Sequence, residues 1–405
     1  MIFKRLRGSR SWILAAVALA CVAALARAQG RVDDALLSRK RLFAEQQLAA
    51  LAQPFVGVHA AAGVAPGLFP IRATGVSTAP VVDAANAFLA TLTPAQTIRT
   101  IFAVDDAEWR RWSNVDNGLY TRQGVSLREM SDAQRAAAMA LLRVSLSAKG
   151  LALSQNIMKT DQVLREVNDD ALRYDEQLYF FTVMGRPSAT EPWGWQIDGH
   201  HLIVNYFVLG DQVVMTPVFM GGEPVVATTG KYAGNAVMQS EQDQGLAFMR
   251  AFEPSQQQAA TIRRDKPAND IQAQADSDNL VIDYRGVKAS TLPPPLKAQL
   301  LALAGIYVGN LRDAHAAVRM REVAAHLDDT WFAWAGGTSD DAVFYYRIHS
   351  PVILIEFDHQ LPVGTTSLFP RDRPTRAHIH TMVRTPNGND YGKDLLRLHY
   401  LQHPH

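Results

Sequence analysis

The chain has 405 residues, 48% of them hydrophobic, with 40 basic and 39 acidic side chains and a single cysteine. Five of the basic residues and none of the acids fall in the first 28 positions, which leaves 35 basic against 39 acidic residues, a net charge of −4, in the remainder. That balance argues against nucleic acid as a partner, and because Cys21 lies inside the same stretch, the rest of the chain has no disulfide, thiol nucleophile or thiolate metal ligand.

Residues 1–28 have the form of a secretory signal. Lys4, Arg5, Arg7 and Arg10 make a basic start, Trp12 to Leu25 is apolar, and Ala26-Arg27-Ala28 is a small-residue cleavage site before Gln29. The apolar run is about 14 residues, short of the roughly 20 that cross a bilayer, so no membrane span is expected once the signal is removed. Export without disulfides fits a bacterial periplasm, or secretion, better than a small disulfide-stapled domain.

Residues 29–79 read as a helix over Asp33–Ala52, with Leu36, Leu37, Phe43, Leu48 and Leu51 near helical period, and then a Gly- and Pro-rich extended arm. A single α+β domain is expected over 80–405. Helices are predicted at 80–112, where Thr93-Pro94-Ala95-Gln96 supplies a capping box, at 131–146 behind Ser131, and at 151–172. From residue 177 the pattern turns to strands at 179–184, 193–197, 200–209 and 213–219, with Asp198-Gly199 as a hairpin turn. Helical segments follow at 235–264, 296–307 and 312–327, with a polar surface loop at 265–279. Strands return at 331–335, 343–348, 352–358 and 377–384, and Asn389 or Asp390 caps a last helix. Hairpin-like connections within each strand cluster predict an α+β fold: a largely antiparallel sheet surrounded by helices, with a helical N-terminal part. One sheet is expected to hold both clusters.

Eleven of the twelve histidines lie from residue 200 onward, several beside acids. Strand alternation places His378, His380, Met382 and Arg384 on one face, with apolar Ile379 and Val383 opposite. The two imidazoles are then roughly 6–7 Å apart along the strand, close enough to share an ion. On the 352–358 strand, Glu356 and Asp358 share a face. His200 and His201 point to opposite faces of a regular strand unless a bulge turns both one way. Trp193 and Trp195 are candidate pocket walls, and Arg384 beside the turn and helix start at Asn389–Tyr391 is a candidate anion site, with His399 further along that helix. Serine-hydrolase, zincin, Walker and dinucleotide-binding motifs are all missing.

The stretches Trp193-Gly194-Trp195-Gln196-Ile197-Asp198-Gly199-His200-His201-Leu202, Thr216-Pro217-Val218-Phe219, Gly222-Glu223-Pro224, Tyr346-Arg347-Ile348, Ile355-Glu356-Phe357-Asp358, Asn389-Asp390-Tyr391-Gly392 and His399-Tyr400 resemble the domain-of-unknown-function family 3500. The resemblance runs from about residue 80 to 402. It implies that these residues matter as a set, and it supplies no reaction.

The residues themselves point to an exported metal-dependent enzyme acting on a small molecule, hydrolytic rather than oxidative. His378, His380 and one of His200 or His201 are the expected ligands of a divalent ion; zinc is favoured, and copper or iron also suits nitrogen and oxygen donors. Glu356 or Asp358 is the expected fourth ligand or general base, with Arg384 neutralising an anionic substrate. Trp193, Trp195, Asn389, Tyr391 and His399 would contact that substrate. The competing reading is a periplasmic small-molecule binding protein without catalysis. Oligomeric state is not legible.

Overall fold

A computed structural model describes residues 36–403, so the signal-like segment 1–28 lies outside the described residues. Helix α1 (36–51) leads into an arm without regular structure. Next come α2 (Ala79–Ala90), α3 (Pro94–Thr100), β1 (Ile101–Phe102), β2 (Val125–Ser126), α4 (Asp132–Ser145) and α5 (Ala148–Asn168). The capping boxes at Thr93 and Ser131 start α3 and α4 as their sequences predict. The first strand cluster is β3 (Tyr179–Met184), β4 (Trp193–Gly199), β5 (Leu202–Leu209), β6 (Gln212–Val214) and β7 (Val218–Gly222).

The expected helical run 235–264 is two helices, α6 (Gln239–Arg250) and α7 (Pro254–Ala260), because Pro254 starts a new helix rather than continuing the first; β8 (Thr261–Arg263) follows. The chain continues through β9 (Val287–Lys288), α8 (Pro294–Val308) and α9 (Asp313–Ala325). Last come β10 (Trp331–Gly336), β11 (Phe344–His349), β12 (Leu354–His359), β13 (Ile379–Arg384) and α10 (Lys393–Gln402). Among the described residues no helix is long and apolar enough to cross a membrane.

Both strand clusters belong to one sheet, in the order β1-β3-β4-β5-β7-β13-β12-β11-β10-β8. Its pairs along this path are antiparallel except β1 with β3 and β8 with β10. The clusters join where β7 pairs with β13, from Val218 opposite Val383 to Gly222 opposite Ile379. The α-helices cover one face, where Val204, Val218, Ile355, Ile379 and Val383 enter the main core with residues of α2, α4, α6 and α8. The other face carries Ile203, Phe219, Leu354 and Met382, closed by Trp109, Trp112, Ile271, Ala273, Tyr391 and the start of α10.

The arm is tied to the middle and late parts of the chain. Val56 donates to Asn279 (2.8 Å), His59 exchanges backbone bonds with Leu280 and Ile282, and Ala65 donates to Asn387 (2.9 Å). Arg72 donates to Gln212 (2.7 Å) through its backbone and pairs with Glu322 (2.6 Å) through its side chain.

At the seam, Gly221 faces His380 across the ladder. A methyl group there would sit 2.6 Å from the Ile379 carbonyl oxygen, 3.2 Å from the His380 ring and 3.5 Å from the His201 ring. Gly221→Ala is therefore expected to destabilise the protein by about 1–3 kcal/mol through overpacking, read as a lower urea midpoint with unchanged m-value.

Candidate metal centre

The β4–β5 hairpin is tighter than its sequence suggests. Strand β4 extends through Gly199, which pairs with Leu202, so the two-residue turn is His200-His201 rather than Asp198-Gly199. Being turn residues, the two histidines escape strand alternation: their rings stack with centroids 3.8 Å apart. His201 is left-handed (φ 62°), a conformation that costs on the order of 1–3 kcal/mol in a non-glycine residue. Gly199 is needed for space, since a Cβ there would overlap the Tyr179 ring.

The seam carries this turn to the start of β13. One nitrogen from each of His201, His378 and His380 lies within 4.8 Å of the others, and all three side chains are buried. His378 and His380 share a face as alternation requires, and their Nε2 atoms are 2.9 Å apart. His378 Nδ1–H donates to the Leu361 carbonyl (2.7 Å), and His380 Nδ1 faces Gln274 Oε1 (3.3 Å). His201 Nδ1 is buried with no partner. Burial pushes His201 and His380 well below the usual imidazole range, and the neighbouring rings add to it. Burial also lowers His378, against the opposing pull of Glu223. In His378 and His380, neutral rings whose outer nitrogens face oxygens keep their inner lone pairs for an ion; His201 has no such outer partner.

Two carboxylates flank the cluster: Asp161, which the sequence reading passes over, and Glu223, which it names only within the stretch Gly222-Glu223-Pro224. Asp161 of α5 accepts from His200 Nδ1 (2.7 Å) and from the Tyr179 hydroxyl (2.8 Å). Burial raises its pKa, with His200 and Tyr179 opposing. It forms a second possible ion-holding group with His200 and His201. Its signal was available: it falls on the buried stripe of Ile157, Met158 and Leu164, where a carboxylate needs a reason. Glu223 lies 3.5 Å from His378 Nδ1 and accepts the amides of Val363, Gly364 and Thr365. Burial alone would raise it, but His378 and these donors hold it below the ordinary carboxylate range.

Other expected site residues go elsewhere. Glu356 and Asp358 do share a face with the histidines, and Asp358 is opposite His380 in register. Their carboxylates, however, are occupied by the segment after β8. Asp358 accepts the amides of Asp270 (2.7 Å) and Ile271 (3.0 Å), the Gln360 amide and the Lys266 ammonium (2.8 Å). Glu356 accepts the amides of Gln272 (3.1 Å) and Ala273 (2.8 Å) and the Tyr345 hydroxyl (2.7 Å). The expected ligand or base role of both is corrected on this ground: their lone pairs are directed at amides. Residues 270–273 are likewise not a free surface loop, since Ile271 and Ala273 are buried.

Arg384 completes this clamp and is not an anion receptor. It is fully buried, donates to the carbonyls of Ala273 and Gln274, and pairs with Asp278 (2.8 Å) and Asp390 (3.2 Å). Tyr391 donates to Asp278 and accepts from Trp112. Asp390 turns back to the Thr385 amide, Asn389 accepts from Leu395, and α10 starts only at Lys393, so the expected caps do not frame an open helix end. Trp193 and Trp195 are core: the first donates to the Ser188 carbonyl, the second stacks on Tyr206. His399 lies 3.6 Å from Glu191, beside a different cavity. None of these residues belongs to the histidine cluster.

The family described as "Protein of unknown function (DUF3500)" matches residues 74–393. No curated protein and no solved structure matches the chain.

If Glu356 and Asp358 hold the 270–273 segment rather than an ion, Glu356→Gln and Asp358→Asn should each cost about 1–3 kcal/mol, the range for leaving buried partners unpaired. Amide exchange should accelerate at 270–273 in both. Any metal content should stay at the wild-type level; its loss in either variant would return the carboxylates to the centre.

Proposed function

For this chain, which belongs to the family described as "Protein of unknown function (DUF3500)", we propose an exported metal-dependent enzyme of hydrolytic type, with His201, His378 and His380 as ligands of one divalent ion. One observation carries the reading: the 2.9 Å approach of His378 Nε2 and His380 Nε2. A carbonyl can only accept, so the bond to Leu361 requires the His378 proton on Nδ1. Gln274 Oε1 favours the same tautomer at His380. Two bare lone pairs then face each other in a buried site, an arrangement stabilised by a cation between them. Zinc suits three imidazoles in a region without cysteine; copper and iron suit the same donors.

The ion's contribution would be Lewis acidity and a bound water with a pKa near 7. The chain's own contribution is orientation and proton transfer. Asp161 fixes His200 Nδ1, which leaves Nε2 of the adjacent ring as the base, an assignment that replaces Glu356 and Asp358. Gln274 and Leu361 hold the ligand rings. The substrate would be a small molecule reaching the cluster from the side of His200 and His380, its least buried residues at 7% and 6%.

Elemental analysis of the mature protein should find about one transition-metal ion per chain. That content should fall sharply in the His378→Ala/His380→Ala double variant, provided its near-UV circular dichroism stays native. His200→Gln should keep the metal and lower kcat about 10²–10⁴-fold on any ester or amide the protein hydrolyses. Protein that neither carries nor takes up a divalent ion would end this reading.

The proposal of export rests on residues 1–28 and is tested by the N-terminus of protein from its native host. Mass spectrometry should place it at Gln29, within about two residues of the small-residue site. An intact Met1 would refute it.

A further inference from the structure

A cavity lies on the opposite face of the same strands, toward the other end of β13. Between α9, the end of α8, β6, β7 and the arm is a narrow cavity of about 60 Å³. Its walls are mostly apolar, with Val218, Val308, Leu311 and Val383 among them, and Phe69 and Pro70 of the arm close one side. The apolar side chains offer a surface on which an alkyl chain can be buried. The small volume, spread along a wall from His315 in α9 to Leu395 in α10, suits a linear chain better than a ring system.

Two polar features mark one part of the wall. His315 is only 3% exposed, and its Nε2 is buried without a hydrogen-bond partner. A buried polar atom left unpaired costs free energy that a ligand atom can recover. Burial, reinforced by the charge of Arg312, lowers the His315 pKa to about 4, so the ring is neutral near pH 7 and keeps one N–H to donate. Beside it, Glu322 is shared between two guanidinium groups, Arg319 at 2.9 Å and Arg72 at 2.6 Å. Arg319 also donates to the Val352 carbonyl (2.6 Å) and the Thr385 hydroxyl (3.1 Å), and Arg72 reaches Glu322 from outside the cavity, so the Glu322 charge is neutralised and does not repel an anion at His315.

The geometry points to a binding site for a short alkyl carboxylate, its chain along Val218, Leu311 and Val383 and its head group at His315 Nε2. This site is independent of the histidine centre: Val383 is three residues from His380 on β13 and on the other face. The arm residues Phe69 and Pro70 make it a site that exists only when the arm is docked.

Hexanoate is the probe, titrated calorimetrically into the full mature protein, with 1-hexanol as control. Saturable binding of one hexanoate per chain is expected, at least tenfold tighter than 1-hexanol. Val318→Trp, on the half-buried side of α9, should abolish it by filling the cavity. His315→Phe keeps the ring shape and should weaken hexanoate at least tenfold while leaving 1-hexanol unchanged. A crystal grown with 6-bromohexanoate supplies a reading independent of either variant's folding: its anomalous peak should lie between α9 and β7. No saturable heat, equal affinity for acid and alcohol, undiminished binding in Val318→Trp, or a bromine peak elsewhere would each overturn the assignment.

Discussion

The pairing of β7 with β13 is the constraint from which the site follows. Without it the molecule would be two hairpin clusters more than a hundred residues apart in sequence, one holding His200 and His201, the other His378 and His380. The ladder fixes their register to the residue: Gly221 opposite His380, with its backbone N–H also accepted by the His201 carbonyl at 2.9 Å. A slip of one residue would send His378 and His380 to the helix-covered face and bring Ile379 and Val383 out of the core. Burial of those two aliphatics therefore protects the position of the two imidazoles.

Much of this was legible. Alternation alone put His378, His380 and Arg384 on one face, and Glu356 with Asp358 on one face, and the structure has all five on the same side of the sheet. What alternation cannot supply is what lies on top. Residues 270–274 read Asp-Ile-Gln-Ala-Gln, a strand-like alternation hidden in an otherwise polar stretch and too short to stand out; Ile271 and Ala273 face inward, and the backbone amides neutralise Glu356 and Asp358 while the carbonyls receive Arg384. The information resides in main-chain groups, which every sequence has and no sequence displays. His200 and His201 failed for another reason: Asp198-Gly199 is a strong turn signal, but Gly199 is needed as space for Tyr179, and the turn moved two residues on. Asp161 and Glu223 sit in a helix stripe and after a glycine pair, where no spacing rule links them to distant histidines.

The clamp has a physical logic beyond holding a loop. Glu356 and Asp358, two residues apart on β12, meet two successive pairs of amides, so carboxylate spacing along a strand matches amide spacing along an extended segment. Arg384, with Asp278 and Asp390 on either side, closes the far end. Such buried charge networks stabilise little when weighed against desolvation. Here the arrangement delivers the Gln274 side chain to His380.

The arm has a consequence for how the chain reaches this state. Its first half is held by Asn279, Leu280, Ile282 and Asn387 and its second half by Gly210, Asp211, Gln212 and Glu322, so part of the segment synthesised early waits for the last quarter of the chain. Folding of this molecule is therefore not vectorial: contacts of very long sequence separation must close last, which slows assembly and leaves an apolar edge near Val218 and Val383 uncovered in the interval. A chain truncated near its C-terminus would lose more than its last strand and helix. It would also loosen the arm at Val58 and Ala65, whose hydrogen-bond partner is Asn387.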